Sequence, residues 1–125
     1  MSAEILLYTG AVVSLLWGIA HIVPTTRVVA GFEPLSRDNR LVLVMEWVAE
    51  GLTLVFIGGL VLSITALVGP SAAGAAVAYR ACAGMLLLMA LWTAVTGART
   101  AVLFFKICPV VKTVVAGLFL VGSVG

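Results

Sequence analysis

The stretch Leu41–Val68, LVLVMEWVAEGLTLVFIGGLVLSITALV, decides the fold class because it is almost entirely apolar and longer than a membrane crossing. About 20 apolar residues are enough for a transmembrane helix. Lipid satisfies no backbone hydrogen bond, so this stretch is predicted to be a helix that tilts or projects from the bilayer. Its two acidic residues, Glu46 and Glu50, raise the question of function because charge inside a membrane is costly.

Three further apolar stretches accompany this one, and each is long enough to span a bilayer. They lie at about residues 5–23, 72–96 and 100–124. The links on either side of the third stretch are short, which predicts antiparallel neighbours. Residues 1–125 are therefore predicted to form one all-α domain, a four-helix transmembrane bundle of up-down-up-down topology with one longer loop.

The composition excludes a soluble protein and a nucleic-acid-binding protein. Hydrophobic residues make up 63% of the chain and charged residues 10%, against about 25% charged in soluble domains. A small soluble domain could not bury that much apolar surface. The net charge of +2 comes without any run of Lys or Arg, so no nucleic acid is expected. The predicted partners are the lipid bilayer and either further copies of the chain or a membrane complex, since four helices enclose little volume.

The longer loop, from Pro24 to Arg40, carries three of the arginines. Residues 25–32 are expected to form a short interfacial helix, and Ser36 is expected to cap the helix that follows. The third link holds Arg99, whereas the second link and both termini hold no Lys or Arg. The positive-inside rule then predicts both termini outside and both basic loops in the cytoplasm, in a bacterial-type inner or plasma membrane.

Small residues at helical spacing predict where the helices approach each other closely. Gly10, Ser14 and Gly18 recur every four positions on the first span, where they allow a neighbouring backbone to come near. The same reasoning predicts close packing at two further sets, Gly59 with Ser63 and Gly74 with Ala78 and Cys82.

Six ionisable side chains fall inside the predicted spans and are the candidate site residues: His21, Glu46, Glu50, Arg80, Lys106 and Lys112. Glu46 and Glu50 are four apart and share a helix face. His21 lies on the same face as Gly18, so it is expected to point into the bundle. Helix rise places all six in roughly the same slab of membrane.

This polar cluster has two interpretations. Its charges can pair and hold the helices in register, or Glu46 and Glu50 can exchange protons near neutral pH, with His21 and Lys106 as partners. The second interpretation suits a proton-coupled carrier or acid–base catalysis. Because the cluster has three cations and two acids, an anionic head group is also an expected ligand.

The leading functional hypothesis is a protein that binds or moves a small ligand through the cluster. One alternative is a membrane-embedded enzyme or oxidoreductase subunit acting on a lipophilic substrate such as a quinone or isoprenoid. The other is an accessory subunit whose charges are purely structural. Whether the protein is an enzyme stays open at this point.

Metal binding is not predicted, because one histidine, two carboxylates and the two cysteines show no ligand spacing. No cofactor is predicted either, although a quinone remains possible. Helix rise separates Cys82 from Cys108 by about 10 Å in depth, which predicts two free thiols. Pro109 either kinks the fourth span or is the first residue of a shorter helix.

The runs GIAHIVPTTRVVAGF (Gly18–Phe32) and MEWVAEGLTLVFIGGLV (Met45–Val61) resemble the DoxX-like group of small four-helix membrane proteins. In that group the first helix ends near a Gly and a basic residue, and the second has an interior Glu. His21 stands where a lysine is commoner in the group. The resemblance covers about half of the chain. It implies the four-helix fold and an accessory role beside a membrane oxidoreductase that uses quinone, or a chaperone role, since other members of the group act as chaperones.

Overall fold

The computed structural model describes all 125 residues, which form helices and connecting turns without any strand. The helices in chain order are α1 (Ala3–Ile22), α2 (Thr25–Ala30), α3 (Arg37–Ser63), α4 (Ala75–Val95) and α5 (Leu103–Gly122). All but the short α2 are long and apolar enough to cross a membrane. The predicted all-α four-helix transmembrane bundle is confirmed, and the chain is an integral membrane protein.

The second span begins earlier than predicted because its N-terminus is capped. The Ser36 hydroxyl accepts a hydrogen bond from the backbone N–H of Asn39 at 3.2 Å, as predicted, and the helix starts at Arg37. At the other end a turn of π-helix over Ile64–Val68 extends the span. Its length exceeds the bilayer thickness, so the polar first turns are available to project from the lipid.

The third and fourth spans are shorter than predicted. Gly74 precedes the third helix with a φ of 85°, a left-handed conformation that ends the preceding turn, so α4 starts at Ala75. Helix α5 starts at Leu103 and continues through Pro109. Pro109 is therefore not the first helical residue, and it removes one backbone hydrogen bond from the interior of the helix.

Helix α1 lies against both α3 and α5, and α4 lies against α5. The α1–α3 interface depends on glycine: a Cβ on Gly18 would lie 2.8 Å from the carbonyl oxygen of Gly51, and one on Gly58 would lie 2.6 Å from the carbonyl oxygen of Ala11. The predicted close-packing stripe on α1 is confirmed. Ser14, within it, is buried and donates its hydroxyl to the Leu54 carbonyl at 2.8 Å.

Of the two other predicted stripes, the one at Gly59 and Ser63 was wrong, and in the one at Gly74, Ala78 and Cys82 only Cys82 is buried. Gly59 has open space around it and Ser63 is exposed. The glycines that do contact α1, Gly51 and Gly58, are seven positions apart and so share a helix face, whereas Gly59 lies about 100° around the helix from Gly58. Gly74 is exposed and lies outside its helix. Residue size alone does not say which face of a helix meets a neighbour.

Helices α3 and α4 meet near the end of the bundle that is remote from the basic loops. There the Thr65 hydroxyl donates to the Val61 carbonyl at 2.7 Å and lies 3.0 Å from the Tyr79 hydroxyl. Towards the basic loops the two helices are separated by a pocket.

Candidate functional site: a polar cluster beside a pocket between two helices

The pocket has a volume of about 430 Å³. Its walls come mainly from α3 and α4, and its inner end is closed by α1 and α5. The lining includes Glu46, Trp47, Ala49, Glu50, Met85, Met89, Trp92, Thr93, His21 and Cys108. Several of the wall residues are exposed on the outer surface of the bundle, Trp92 to 71%. Because that surface faces lipid in a membrane, the pocket opens sideways between α3 and α4.

Lys112 and Glu50 form an ion pair at the inner end of the pocket. Lys112 is 1% exposed, and its ammonium group also donates to the Thr93 hydroxyl at 2.8 Å. These contacts join α3, α4 and α5 at one point. The Glu50 side chain remains 29% exposed and lines the pocket. A buried lysine needs such partners, since an uncompensated charge inside a membrane is costly.

His21 lies beside this ion pair but forms no hydrogen bond with it. Its side chain is buried, as predicted, and lines the pocket. Its Nε2 atom is 3.6 Å from Oε2 of Glu50, which is longer than a hydrogen bond. Neither ring nitrogen has a hydrogen-bond partner. An unpaired buried polar group destabilises a fold by about 1–3 kcal/mol, so this imidazole is an unsatisfied group next to a cavity.

Trp47 holds His21 in position. The two rings stack with centroids 3.9 Å apart, and the indole N–H of Trp47 donates to the His21 carbonyl at 2.6 Å. That carbonyl belongs to the last turn of α1, where backbone acceptors lack partners within the helix. Trp47 therefore fixes both the ring and the backbone of His21. The sequence signal for this role was only a tryptophan next to Glu46 on the same helix.

A second aromatic contact joins α1 to α5 one helical turn before His21. The Trp17 ring stacks on Phe104 with centroids 4.9 Å apart, and its N–H donates to the Cys108 sulfur at 3.4 Å. Cys108 and Cys82 are both buried and free. No three His, Cys, Asp or Glu side chains converge closely enough to hold a metal ion.

The structure brings three of the six predicted site residues together: His21, Glu50 and Lys112. Glu46 lines the pocket but is itself exposed. The other two, Lys106 and Arg80, lie outside the cluster.

Lys106 is exposed near the start of α5. It is six residues from Lys112, so the two side chains point about 120° apart around the helix. Arg80 is exposed and donates its Nε–H to the Ser123 hydroxyl at 3.2 Å, at the opposite end of the bundle. Depth in the membrane was a poor guide to contact because it ignores the angle around each helix.

No family model, curated protein or solved structure matches the chain. The resemblance to the DoxX-like group therefore stays a prediction. The geometry of the pocket and of the polar cluster carries the functional argument.

Proposed function

We propose that the protein binds a small amphipathic ligand that enters sideways from the lipid between α3 and α4. The polar end of the ligand contacts His21 and Glu50, and its apolar part lies along the pocket walls. The observation that carries this proposal is His21, a buried imidazole with both nitrogens unpartnered at the inner end of a pocket. Buried polar groups are almost always satisfied, and a ligand head group would satisfy this one.

The pocket suits such a ligand in size and lining. Small-molecule sites are typically about 300–1,000 Å³, mostly apolar, with a few polar groups that fix orientation. Met85, Met89 and Trp92 supply adaptable apolar wall from α4. His21 and Glu50 lie together at the inner end, which matches a molecule with one polar end, whereas Glu46 lies at the edge of the pocket.

A purely structural role for the cluster is less well supported. Charges that only hold helices together should leave no buried polar group unpaired. The Glu50–Lys112 pair meets that requirement, whereas His21 does not. We therefore assign a structural role to the ion pair and a ligand-binding role to the imidazole beside it.

We further propose that the pocket lies in the cytoplasmic half of a bacterial-type inner membrane, with both termini outside. Five cations lie at the pocket end of the bundle: Arg27, Arg37, Arg40, Arg99 and Lys106. Positive charge in short loops favours the cytoplasmic side. Ser71 is exposed in the link at the opposite end of the bundle, which this orientation places outside. A cysteine introduced at Ser71 should therefore react with an impermeant maleimide in intact cells.

The test of ligand binding is to fill the pocket without touching its polar groups. Ala49 is exposed and lines the pocket, so Ala49→Phe should block it. The matched control is Ala94→Phe, an exposed position on α4 outside this pocket. Native mass spectrometry of the purified proteins should show a co-purified lipophilic molecule on wild type and on the control. That molecule should be absent from Ala49→Phe.

Two results would contradict the proposal. Wild-type protein carrying only the bulk lipids of its host membrane, at the same occupancy as Ala49→Phe, would leave the pocket without a specific ligand. A specific ligand retained equally by Ala49→Phe would place the binding site elsewhere on the bundle.

An enzyme acting on such a ligand is the second candidate. It is favoured by the 3.6 Å separation between His21 Nε2 and Glu50 Oε2, because an imidazole and a carboxylate so close can exchange a proton with the same substrate atom. A quinone or an isoprenoid would fit the apolar pocket. Incubating the extracted ligand with wild type and with His21→Phe tests this candidate. A product formed only by wild type would support catalysis, and an unchanged ligand would support binding alone.

A further inference from the structure

We infer that the ligand has an uncharged head group carrying a hydroxyl, and that this hydroxyl bridges His21 and Glu50. The inference rests on the proposed ligand-binding function and names its chemical class. It comes from the charge balance of the pocket and from the geometry of the two atoms that face each other there.

The charge balance opposes an anionic head group. The inner end of the pocket holds one carboxylate, Glu50, and one ammonium group, Lys112, in contact with each other. In its neutral form His21 adds no charge. Glu46, at the edge of the pocket, adds a negative charge. An incoming anion would therefore meet no uncompensated positive charge in a medium that screens poorly.

This inference differs from the expectation of an anionic ligand. That expectation depended on three cations in the cluster, and two of them lie elsewhere: Lys106 on another side of α5 and Arg80 at the far end. Only Lys112 remains, and Glu50 and Thr93 already occupy it.

A cationic head group is opposed by the buried Lys112, although Glu46 at the edge of the pocket is negative. The Glu50 carboxylate already neutralises Lys112, which is 1% exposed and has no access to solvent. A second cation at Glu50 would lie close to that buried ammonium group, and like charges at short range repel strongly away from water. Competition for the carboxylate would also leave Lys112 without its charged partner.

The geometry favours a hydroxyl among uncharged groups. Nε2 of His21 and Oε2 of Glu50 are 3.6 Å apart, so one oxygen atom can lie within hydrogen-bond distance of both. The neutral imidazole with its proton on Nε2 can donate to that oxygen. The carboxylate can only accept, so the oxygen must carry a hydrogen of its own. A hydroxyl does both, whereas an ether or a ketone oxygen only accepts.

The experiment compares four probes with the same twelve-carbon tail: dodecanol, dodecyl methyl ether, dodecanoate and dodecylammonium. Wild-type protein in detergent is titrated with each one, and bound probe is counted by native mass spectrometry at a fixed mole fraction in the micelle. We expect dodecanol to bind about tenfold more tightly than the ether, which lacks one hydrogen bond. Dodecanol should also outcompete both charged probes.

Two variants connect this binding to the site. His21→Phe keeps a ring to stack on Trp47 but removes the Nε2–H that donates to the oxygen of either probe, so dodecanol and the ether should both bind about tenfold more weakly. The preference for dodecanol over the ether depends on the bond that the hydroxyl donates to Glu50, so it should remain in this variant. Arg80→Gln, remote from the pocket, should keep both the wild-type affinity and the wild-type preference. Because His21→Phe removes an unsatisfied buried group, it is expected to fold.

The outcomes separate the ligand class from the proposed function. Tighter binding of dodecanoate, of dodecylammonium or of the ether than of dodecanol, with any such binding blocked by Ala49→Phe, would overturn the hydroxyl inference and leave the binding site in place. Dodecanol bound as tightly by His21→Phe as by wild type would also overturn it. Binding of no probe, together with no co-purified ligand, would overturn both the inference and the proposed function.

Discussion

The two sides of α3 are built differently. On the side facing α1, glycines bring the two backbones into contact at Gly18–Gly51 and at Ala11–Gly58. On the side facing α4, larger and polar side chains line a pocket of about 430 Å³. Lipid gives helices little hydrophobic reason to associate, so close van der Waals packing drives their contact. The glycine side of α3 therefore holds the bundle together, and the pocket side is free to bind.

The Glu50–Lys112 ion pair connects α3 to α4 through α5. Lys112 comes from α5 and contacts both Glu50 on α3 and Thr93 on α4. It thereby fixes the position of α4 relative to α3 although the two helices are separated there. The contacts of Lys112 with Glu50 and Thr93 therefore help to set the distance between α3 and α4 at the pocket.

The largest expected effect is on this ion pair. Glu50→Gln leaves the Lys112 ammonium group buried with neutral acceptors only, and we expect the free energy of unfolding to fall by about 3–5 kcal/mol. Lys112→Met should have a smaller effect, because the Glu50 side chain is 29% exposed and can be solvated. Unfolding in mixed detergent micelles measures both variants. A larger loss of stability for Lys112→Met than for Glu50→Gln would contradict the explanation that the buried lysine is the partner that most needs a counter-charge.

The next largest effect is expected at the α1–α3 contact. A Cβ at Gly51 would overlap the Ile22 side chain and lie 3.1 Å from the Gly18 carbonyl oxygen. Gly51→Ala should therefore lower the free energy of unfolding by about 1–3 kcal/mol. It should also move His21 away from Glu50.

The control for Gly51→Ala is on the same helix. Gly59 has open space around it, so Gly59→Ala should be neutral or should stabilise the helix by up to about 1 kcal/mol. The same unfolding assay compares the two. If both variants lose stability equally, the glycines act through helix propensity, and the close contact between α1 and α3 has no special role.

A smaller effect is expected where the two sides of α3 meet, at Trp47. Trp47→Phe keeps an aromatic ring against His21 but removes the N–H that donates to the His21 carbonyl. We expect a loss of about 1 kcal/mol in the same assay. Trp92→Phe is the matched control, because Trp92 is 71% exposed. Equal stability of the two variants would mean that the carbonyl of His21 finds another donor.

The smallest effect is expected at Arg80, on neither side of α3. Its hydrogen bond to Ser123 is exposed, so Arg80→Gln should change the free energy of unfolding by less than about 0.5 kcal/mol. Ligand occupancy, measured by native mass spectrometry, should equal that of wild type. Loss of the ligand in this variant would extend the site to the far end of the bundle and contradict its present boundary.

Much of the fold was predictable because its signals are local. The four apolar runs, the cap at Ser36 and the short helix after Pro24 depend on residues near each other in the chain. The inward direction of His21 was also predictable, since it lies three residues after Gly18 on the same face. The starts of α4 and α5 were predicted less accurately, because Gly74 and the turn before Leu103 delay the two helices inside runs that are already apolar.

The candidate site was predictable only in part. Candidate residues could be chosen by their charge, and three of them, His21, Glu50 and Lys112, do meet. The exclusion of Lys106 and Arg80 depends on the angle at which each helix faces the others. The support from Trp47 and Thr93 depends on contacts between residues far apart in the chain.

The sequence by itself determined that the chain forms four membrane-spanning helices, because lipid demands internally hydrogen-bonded segments of a minimum apolar length. Only the tertiary structure decided that α3 and α4 are separated by a pocket towards the basic loops, and that His21 lies unpaired beside Glu50 in that pocket. Helix rotation and spacing are set by the packing of every helix against its neighbours, and no single segment encodes them.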